Sequence, residues 1–503
     1  MGITWQSARR GFLRSTNRRA AAAPGGRTVA VFGAGLAGLT TAHELAERGF
    51  ALTVYERLGA AGGKCRSIVS DRALPGEHGF HTFFGCHRDL PDTLRRIPFR
   101  RNRDGVYDNL VRVDAATIAG MGRADSTAAL PFPLPSRQSP RTPRQFADSF
   151  ASVFETLFRL LPHEALFAAE RLAVYISSCE ERRLGQWERM SWSEFAGLDN
   201  ASAEYHRFLG DGFLRTLMAT QARACSAHSI GLTGEDFVRS LLNPDDDRDD
   251  RVLNGPTSAT FIDPWVTHLR SLGVTFAFGA QLSGFDTDGA HLRAATVTDH
   301  TGARHRVEAD YYVCAIPPDK ATAVFTADVL AADPRLDGVS WLPSMGMVGV
   351  QFFLRRRADL ATGHVAYVDS PWGLTSIGQA PYRRTSVSDP GTPDVSYDGA
   401  GFLPKPGSWA DRPDATTAID NLFLAGDWIR TPANVACMES ANEGGRLAAN
   451  AVLHVSGSAA GRVPITPRFR MPLWEPLELA DSALYHAGQP HAFDLTDRRY
   501  PVR

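Results

Sequence analysis

Lysine is almost missing from this chain: Lys64, Lys320 and Lys405 are the only three, and the remaining basic charge is arginine. The net charge is −1, so no global basic field points to nucleic acid as a partner. The six cysteines (65, 86, 179, 225, 314 and 437) show no CxxC pair and no metal-ligand spacing. That excludes a disulfide framework and a zinc knuckle, and they read as free thiols of a reducing, cytoplasmic compartment. No stretch approaches the roughly 18 uninterrupted apolar residues of a membrane-spanning helix. There is no nucleophile–base motif, no metal cluster and no second GxGxxG for a bound nicotinamide. What remains is an ordinary globular composition, 43% apolar over 503 residues, enough for a large core and two interleaved domains.

The most informative stretch is Val29–Ser67. Val29-Ala30-Val31-Phe32 reads as a buried parallel strand, Gly33-Ala34-Gly35-Leu36-Ala37-Gly38 follows at once, and Leu36–Arg48 reads as a helix. A second strand, Leu52–Tyr55, ends on Glu56. This is a βαβ dinucleotide fingerprint. Gly33 permits the tight turn, Gly35 lets backbone approach a pyrophosphate, and Gly38 allows close helix–strand packing. The helix N-terminus offers unpaired N–H groups and partial positive charge to phosphates. Glu56 stands where a carboxylate accepts ribose hydroxyls and repels a 2′-phosphate, which argues against NADP.

The continuation Gly62-Gly63-Lys64-Cys65-Arg66-Ser67 resembles the FAD-dependent amine oxidoreductase superfamily, which includes monoamine oxidases, protoporphyrinogen oxidases and carotenoid desaturases. The resemblance implies an α/β fold: a Rossmann-like FAD-binding domain of the GR2 flavoprotein type, interleaved with a mixed-sheet and helical substrate domain. It also implies non-covalent FAD, with Gly62, Gly63 and Lys64 near the pyrophosphate and ribityl chain and Leu36, Ala37 and Arg57 flanking them. Two further stretches strengthen it. Glu77–Cys86 (EHGFHTFFGC) resembles plant-type phytoene and ζ-carotene desaturases and isorenieratene synthase, where it lies by the flavin and substrate tunnel. His81 is then either a cavity-lining catalytic candidate or a satisfied core histidine. Asn421–Trp428 is a buried strand ending in Gly426-Asp427, and Met438-Glu439-Ser440-Ala441 opens a helix with a small face. These match the superfamily's C-terminal motif. In the resemblance Asp427 binds the ribityl or phosphate end, and N–H groups of Met438–Ala441 face the flavin edge where negative charge develops. Trp428 is the second catalytic candidate, and backbone at Leu282 is expected at the adenine. Cys437 offers a thiol for covalent flavin attachment, but the monoamine oxidases place theirs on a different loop.

In chain order, residues 1–26 form a disordered basic extension. Arg9-Arg10-Gly11-Phe12-Leu13-Arg14 resembles a twin-arginine signal, but the apolar segment that should follow is absent. FAD-binding segments are expected at 27–95, 261–320 and 419–456. A mainly helical cap at 96–260 and a sheet with a loop at 321–418 form the substrate domain, and 457–503 is a tail. Pro131–Pro143 reads as a surface crossing. Phe150, Phe154, Phe158 and Leu161 recur at helical spacing, and Ala165, Ala168, Leu172 and Tyr175 continue the pattern. Asp245–Asp250 reads as a solvated acidic loop. A helix is expected over Phe261–Leu272 with Asp263 as its cap. Met347–Leu354 reads as a strand buried largely on both faces, Trp341, Phe353 and Trp372 as pocket walls or plain core, and 386–416 as a long loop.

Flavins carry redox chemistry that the protein orients and shields from water. The leading expectation is a desaturase removing hydride from a C–H bond of an apolar, carotenoid- or terpenoid-like small molecule, in carotenoid biosynthesis or secondary metabolism. The alternative is an amine oxidase, which an aromatic pair about the flavin face would mark. A further alternative is a redox-neutral isomerase or dehydroxylase. Oxygen or a quinone would be the electron acceptor, and peripheral membrane contact is compatible with the helical cap.

Overall fold

The computed structural model describes residues 26–494 apart from 70–74, 78, 80, 121–124, 130–141, 243–248, 355–362, 380, 383–393, 397–399 and 469–472. The basic extension before residue 26, most of the Pro-rich crossing and 245–248 of the acidic loop lie outside the described residues.

Five short strands form an all-parallel sheet in the order Leu422–Leu424, Tyr311–Cys314, Thr28–Phe32, Ala51–Glu56, Thr275–Phe278. The apolar runs of Thr28–Phe32 (from Val29), Tyr311–Cys314 and Leu422–Leu424 are buried on both faces, as parallel strands sandwiched between layers must be. The fingerprint helix, Leu36–Ala46, is buried over nearly its whole circumference, which explains why its sequence is apolar and small rather than amphipathic. An antiparallel sheet of Gln281–Thr287, Leu292–Thr298 and Arg304–Val307 follows in the chain. A mixed sheet joins Thr375–Ile377, His364–Tyr367, Ala115–Ala119 and Ser126–Ala129, with one parallel pairing between segments almost 250 residues apart.

The aromatic stripe is a helix, Pro143–Phe158, capped by the Thr142 side chain accepting from Gln145 N and started by a proline at its first position. Phe146, Phe150 and Phe158 are buried, and they pack with the next helix, Pro162–Ile176, into one core.

Several expectations are corrected. The 261–272 helix is preceded by a π-helical turn, Ser258–Ile262, so Asp263 is already helical and makes no side-chain cap. Met347–Leu354 is not buried on both faces. Its strand, Gly349–Gln351, pairs with Asp394–Ser396 in a two-stranded ribbon, and Val348 and Phe352 are 63% and 65% exposed. The 386–416 loop contains two strands and a short helix, Ser408–Asp411. The supposed tail carries a helix, Glu475–His486, whose Asp481 is buried against Arg182 at 2.9 Å and accepts Cys179 N at 2.9 Å.

Both members of that Arg182–Asp481 pair are 2% exposed, so removing one strands the other in a low-dielectric site. Asp481→Ala is expected to cost about 3–5 kcal/mol of stability, read from urea unfolding followed by circular dichroism. An unchanged midpoint would show that the C-terminal helix is an ornament and not part of the core.

Candidate functional site

The fingerprint turn is built from contacts that only glycine permits. Gly33 has φ +103°, donates its N–H to Tyr55 O at 2.8 Å, and a Cβ there would sit 2.6 Å from Ala315 O. A Cβ on Gly38 would lie 1.9 Å from Gly33 O. Gly35 differs. It precedes the helix with φ −73°, and the nearest atom to an added Cβ is Gly63 Cα at 3.9 Å. The two glycine turns therefore abut, a Cβ on Gly63 lying 3.0 Å from Gly35 Cα, and they meet at a helix terminus with no side-chain cap. Leu36 and Ala37, the first helical residues, are buried beside it. Gly62 (φ +108°) ties its turn to the first by donating to Ala34 O at 2.8 Å. Glu56 is buried at the end of its strand and accepts Ala34 N and Leu58 N, each at 2.8 Å, one on each oxygen. Arg57 is exposed and Leu282 is buried in the antiparallel sheet.

The C-terminal motif arrives at the same place. Leu422–Leu424 runs beside Tyr311–Cys314, and Gly426 follows with φ +153°. Asp427 sits in the fields of Lys64 and Arg412. Burial pushes its carboxyl up, and both cations oppose that shift. The helix Met438–Val455 is capped by Cys437 Sγ accepting Ser440 N. Glu439 uses its side chain elsewhere: its carboxylate accepts Arg88 N, Asp89 N and Leu90 N at 2.7–2.9 Å, capping the Asp89–Arg96 helix. Ser440 Oγ meets Thr431 Oγ1 at 2.5 Å, and Ala441 N completes the first turn onto Cys437 O. Burial pushes the Cys437 thiol well above its ordinary range, which disfavours the thiolate needed for covalent attachment.

The two catalytic candidates stand apart from the large cavity. Trp428 is 1% exposed, donates Nε1–H to Ile316 O at 3.0 Å and packs in the core behind the motif. His81 faces Thr257 Oγ1 at 3.4 Å and borders a small pocket with Glu77 and Tyr382. The large cavity, about 440 Å3, lies between the helical cap and the mixed sheet, with Phe150, Phe154, Phe158, Leu172, Trp192 and Val368 among its apolar walls. The three expected wall residues are not among them. Trp341 and Trp372 are 63% and 83% exposed, and Met345 and Met347 take that place instead.

One end of the cavity is polar. Asp236 pairs with Arg468 at 3.1 Å, and Glu443 accepts Ala433 N at 2.8 Å. Asp250, expected in solvent, lines this cavity and accepts Gly85 N at 3.0 Å; burial lifts its carboxyl to about 6. Fold topology also gathers Asp89, Glu439 and Glu443, but backbone and side-chain donors of the protein already occupy oxygens of all three.

Sequence reasoning missed Arg412. Its guanidinium is 1% exposed and donates to the backbone carbonyls of Asp427 and Trp428, both at 3.1 Å, and to that of Ile429, as well as to the Asn434 side chain. No signal marked it within a segment read as loop, other than the following Pro413.

A model of the flavin containing amine oxidoreductase family matches residues 36–382 and 392–453. Carotenoid phi-ring synthase of Streptomyces griseus is 26% identical over 90% of this chain and 96% of its own length. The 15-cis-phytoene desaturase of Synechococcus elongatus is 21% identical over 84% and 95%. Among solved structures, cyclohexylamine oxidase of Brevibacterium oxydans superposes with a TM-score of 0.57 at 13% identity, covering 86% of this chain and 99% of that one, a likeness of fold.

Gly35→Ala separates a cofactor-binding glycine from a packing one. Its φ suits any residue and an added Cβ meets only Gly63 Cα, at 3.9 Å, so the fold should melt as the parent does while FAD affinity falls by about tenfold or more. Titrating FAD into apoprotein by fluorescence reads this, and unchanged affinity would place the cofactor elsewhere.

Proposed function

We propose that this chain, which belongs to the flavin containing amine oxidoreductase family and is an FAD-dependent oxidoreductase, desaturates an elongated apolar molecule of carotenoid or terpenoid type. FAD is its cofactor. When bound it would supply the hydride acceptor for a substrate C–H bond whose neighbouring carbon loses a proton. In this reading Gly33, Gly35, Leu36, Ala37 and Gly38 hold the pyrophosphate, and Glu56 holds the adenosine ribose. Gly62, Gly63, Lys64, Gly426 and Asp427 hold the ribityl chain, and Met438–Ala441 take the flavin edge. The division into interleaved FAD-binding segments and a substrate domain belongs to the same proposal.

The observation that carries the substrate class is the cavity itself, walled by phenylalanine, leucine, tryptophan and valine side chains from the helical cap. The relatives named for carotenoid chemistry over almost their full lengths support it. An amine oxidase is the second reading, favoured by the acids Asp236 and Glu443 in the cavity wall, which an ammonium group would satisfy. Against it, burial raises both carboxyls, which disfavours the charged form an ammonium would need, and Asp236 is already paired with Arg468 at 3.1 Å. Residues 432–437 lead into the helix terminus without an aromatic, and Trp428 is turned into the core, so no aromatic pair stands there among the described residues.

Access and electron flow complete the proposal. Met347 lines the cavity and is 48% exposed, at the start of a run in which Val348, Val350, Phe352 and Leu354 are 49–65% exposed. An apolar run flanking a cavity mouth suits a peripheral contact with a membrane on the cytoplasmic side, from which an apolar substrate enters. No helix of the described residues is long and apolar enough to cross a membrane. A quinone in that membrane, or oxygen, would reoxidise the flavin.

Anaerobic mixing of the holoenzyme with matched panels tests this. Polyenes and terpenoid hydrocarbons should bleach the flavin's visible band and amines should not. Bleaching by amines, with peroxide on readmitting air, would transfer the assignment to the second reading.

A further inference from the structure

The segment 427–434 links the Gly-Asp turn to the terminus of the Met438–Val455 helix, and it has little regular structure of its own. Asn434 in it has φ +56°, a left-handed conformation that costs a non-glycine residue energy unless its surroundings enforce it. Those surroundings converge on Arg412. Its Nε donates to Trp428 O, and one terminal nitrogen donates to the carbonyls of Asp427 and Ile429. The other reaches the backbone and side-chain oxygens of Asn434. Five acceptors spread over eight residues are thereby held by one rigid planar fork.

The network extends in both directions. Thr431, inside the clamped segment, meets Ser440 on the helix terminus at 2.5 Å. On its other side the guanidinium lies over the rings of Phe402 and Trp409, 5.0 and 5.2 Å from their centroids. Phe402 lines the large cavity. The guanidinium is thus shared between the cavity wall and the loop that carries Asp427, and burial lowers it to about 10, which leaves it charged at neutral pH.

We infer that Arg412 is a positioning residue for the cofactor: it fixes the Asp427–Asn434 segment, and through Thr431 and Ser440 the helix terminus, in the form that binds FAD. It contacts neither cofactor nor substrate in this role, and it acts through main-chain carbonyls. The inference rests on the FAD site and is independent of the substrate proposed above. It predicts that Lys at 412 is a partial replacement, since an ammonium keeps the charge but cannot span the same acceptors.

Three variants decide it, each purified as full chain and stripped of flavin: Arg412→Gln, Arg412→Lys and, as comparison, Arg430→Gln. Arg430 also lies over Trp409, at 5.8 Å, but donates to Trp409 and Ala410 carbonyls outside the clamped segment. FAD is titrated into each by fluorescence, and the visible spectrum and midpoint potential of the bound flavin are recorded beside the melting curve of the apoprotein. Arg412→Gln should weaken FAD by about tenfold or more, the equivalent of one charge-assisted hydrogen bond, and alter the spectrum and potential. Arg412→Lys should fall between it and the parent, and Arg430→Gln should stay within about twofold of the parent, a fraction of one hydrogen bond. Parent-like affinity and spectrum in Arg412→Gln would overturn the inference, as would equal loss in Arg430→Gln. Should Arg412→Gln not fold, Arg412→Lys decides alone: unchanged affinity, spectrum and potential would overturn it.

Discussion

A side chain at Gly445 would place its Cβ 2.5 Å from Ala37 O and 2.6 Å from Thr40 Cβ, and one at Gly444 would lie 2.3 Å from Gly426 O. These backbone contacts are the constraint on which the site depends. They let the Met438–Val455 helix lie directly on the Leu36–Ala46 helix, so that segments roughly 400 residues apart in the chain meet. Polar bonds fix the register: Thr41 Oγ1 donates to Gly445 O at 3.1 Å, and Asn442 Nδ2 donates to Thr40 and Thr93 hydroxyls, each at 2.9 Å. Buried polar groups satisfied this fully specify one docking over its neighbours.

Much of this was legible in the sequence because it is written in glycines and in periodicity. A φ above zero at Gly33 or Gly62, and the absence of a side chain at Gly38, are demands that few residues meet, so the residue type announces the geometry. The Phe150–Phe154–Phe158 repeat announced its helix for the same reason. What was illegible shares a different cause. Arg412, Glu439 and Asp481 each act through several hydrogen bonds to residues distant in the chain, and nothing local distinguishes them from surface charges. Asp250 looked solvated because its neighbours are acidic, yet Gly85 N–H and the cavity wall enclose it. The run at Met347–Leu354 misled in the opposite way, since a two-stranded ribbon cannot cover both of its faces and alternation alone does not reveal that.

The cavity and the cofactor slot are built by different means. The slot proposed for FAD is chiefly backbone, made of turns, helix termini and strand ends, and a few buried side chains such as Glu56 and Arg412 hold it in place. The cavity is side chain, drawn from the helical cap and the mixed sheet, and its shape follows the packing of aromatics. That division fits a fold that keeps one cofactor while its substrates vary. It also separates two kinds of damage, since changes in the slot should abolish flavin binding and changes in the cap should redirect chemistry while flavin is retained.

In the proposed reaction an apolar substrate gives up a hydride and a proton from neighbouring carbons, and the flavin takes up the two electrons. The measurement that reaches it most directly is the mass of the product from one anaerobic turnover, quantified against the flavin reduced. The account predicts one product molecule per reduced flavin, lighter than its substrate by two hydrogens and carrying one additional double bond. A product that has lost ammonia, or one isomeric with its substrate while the flavin stays oxidised, would contradict it.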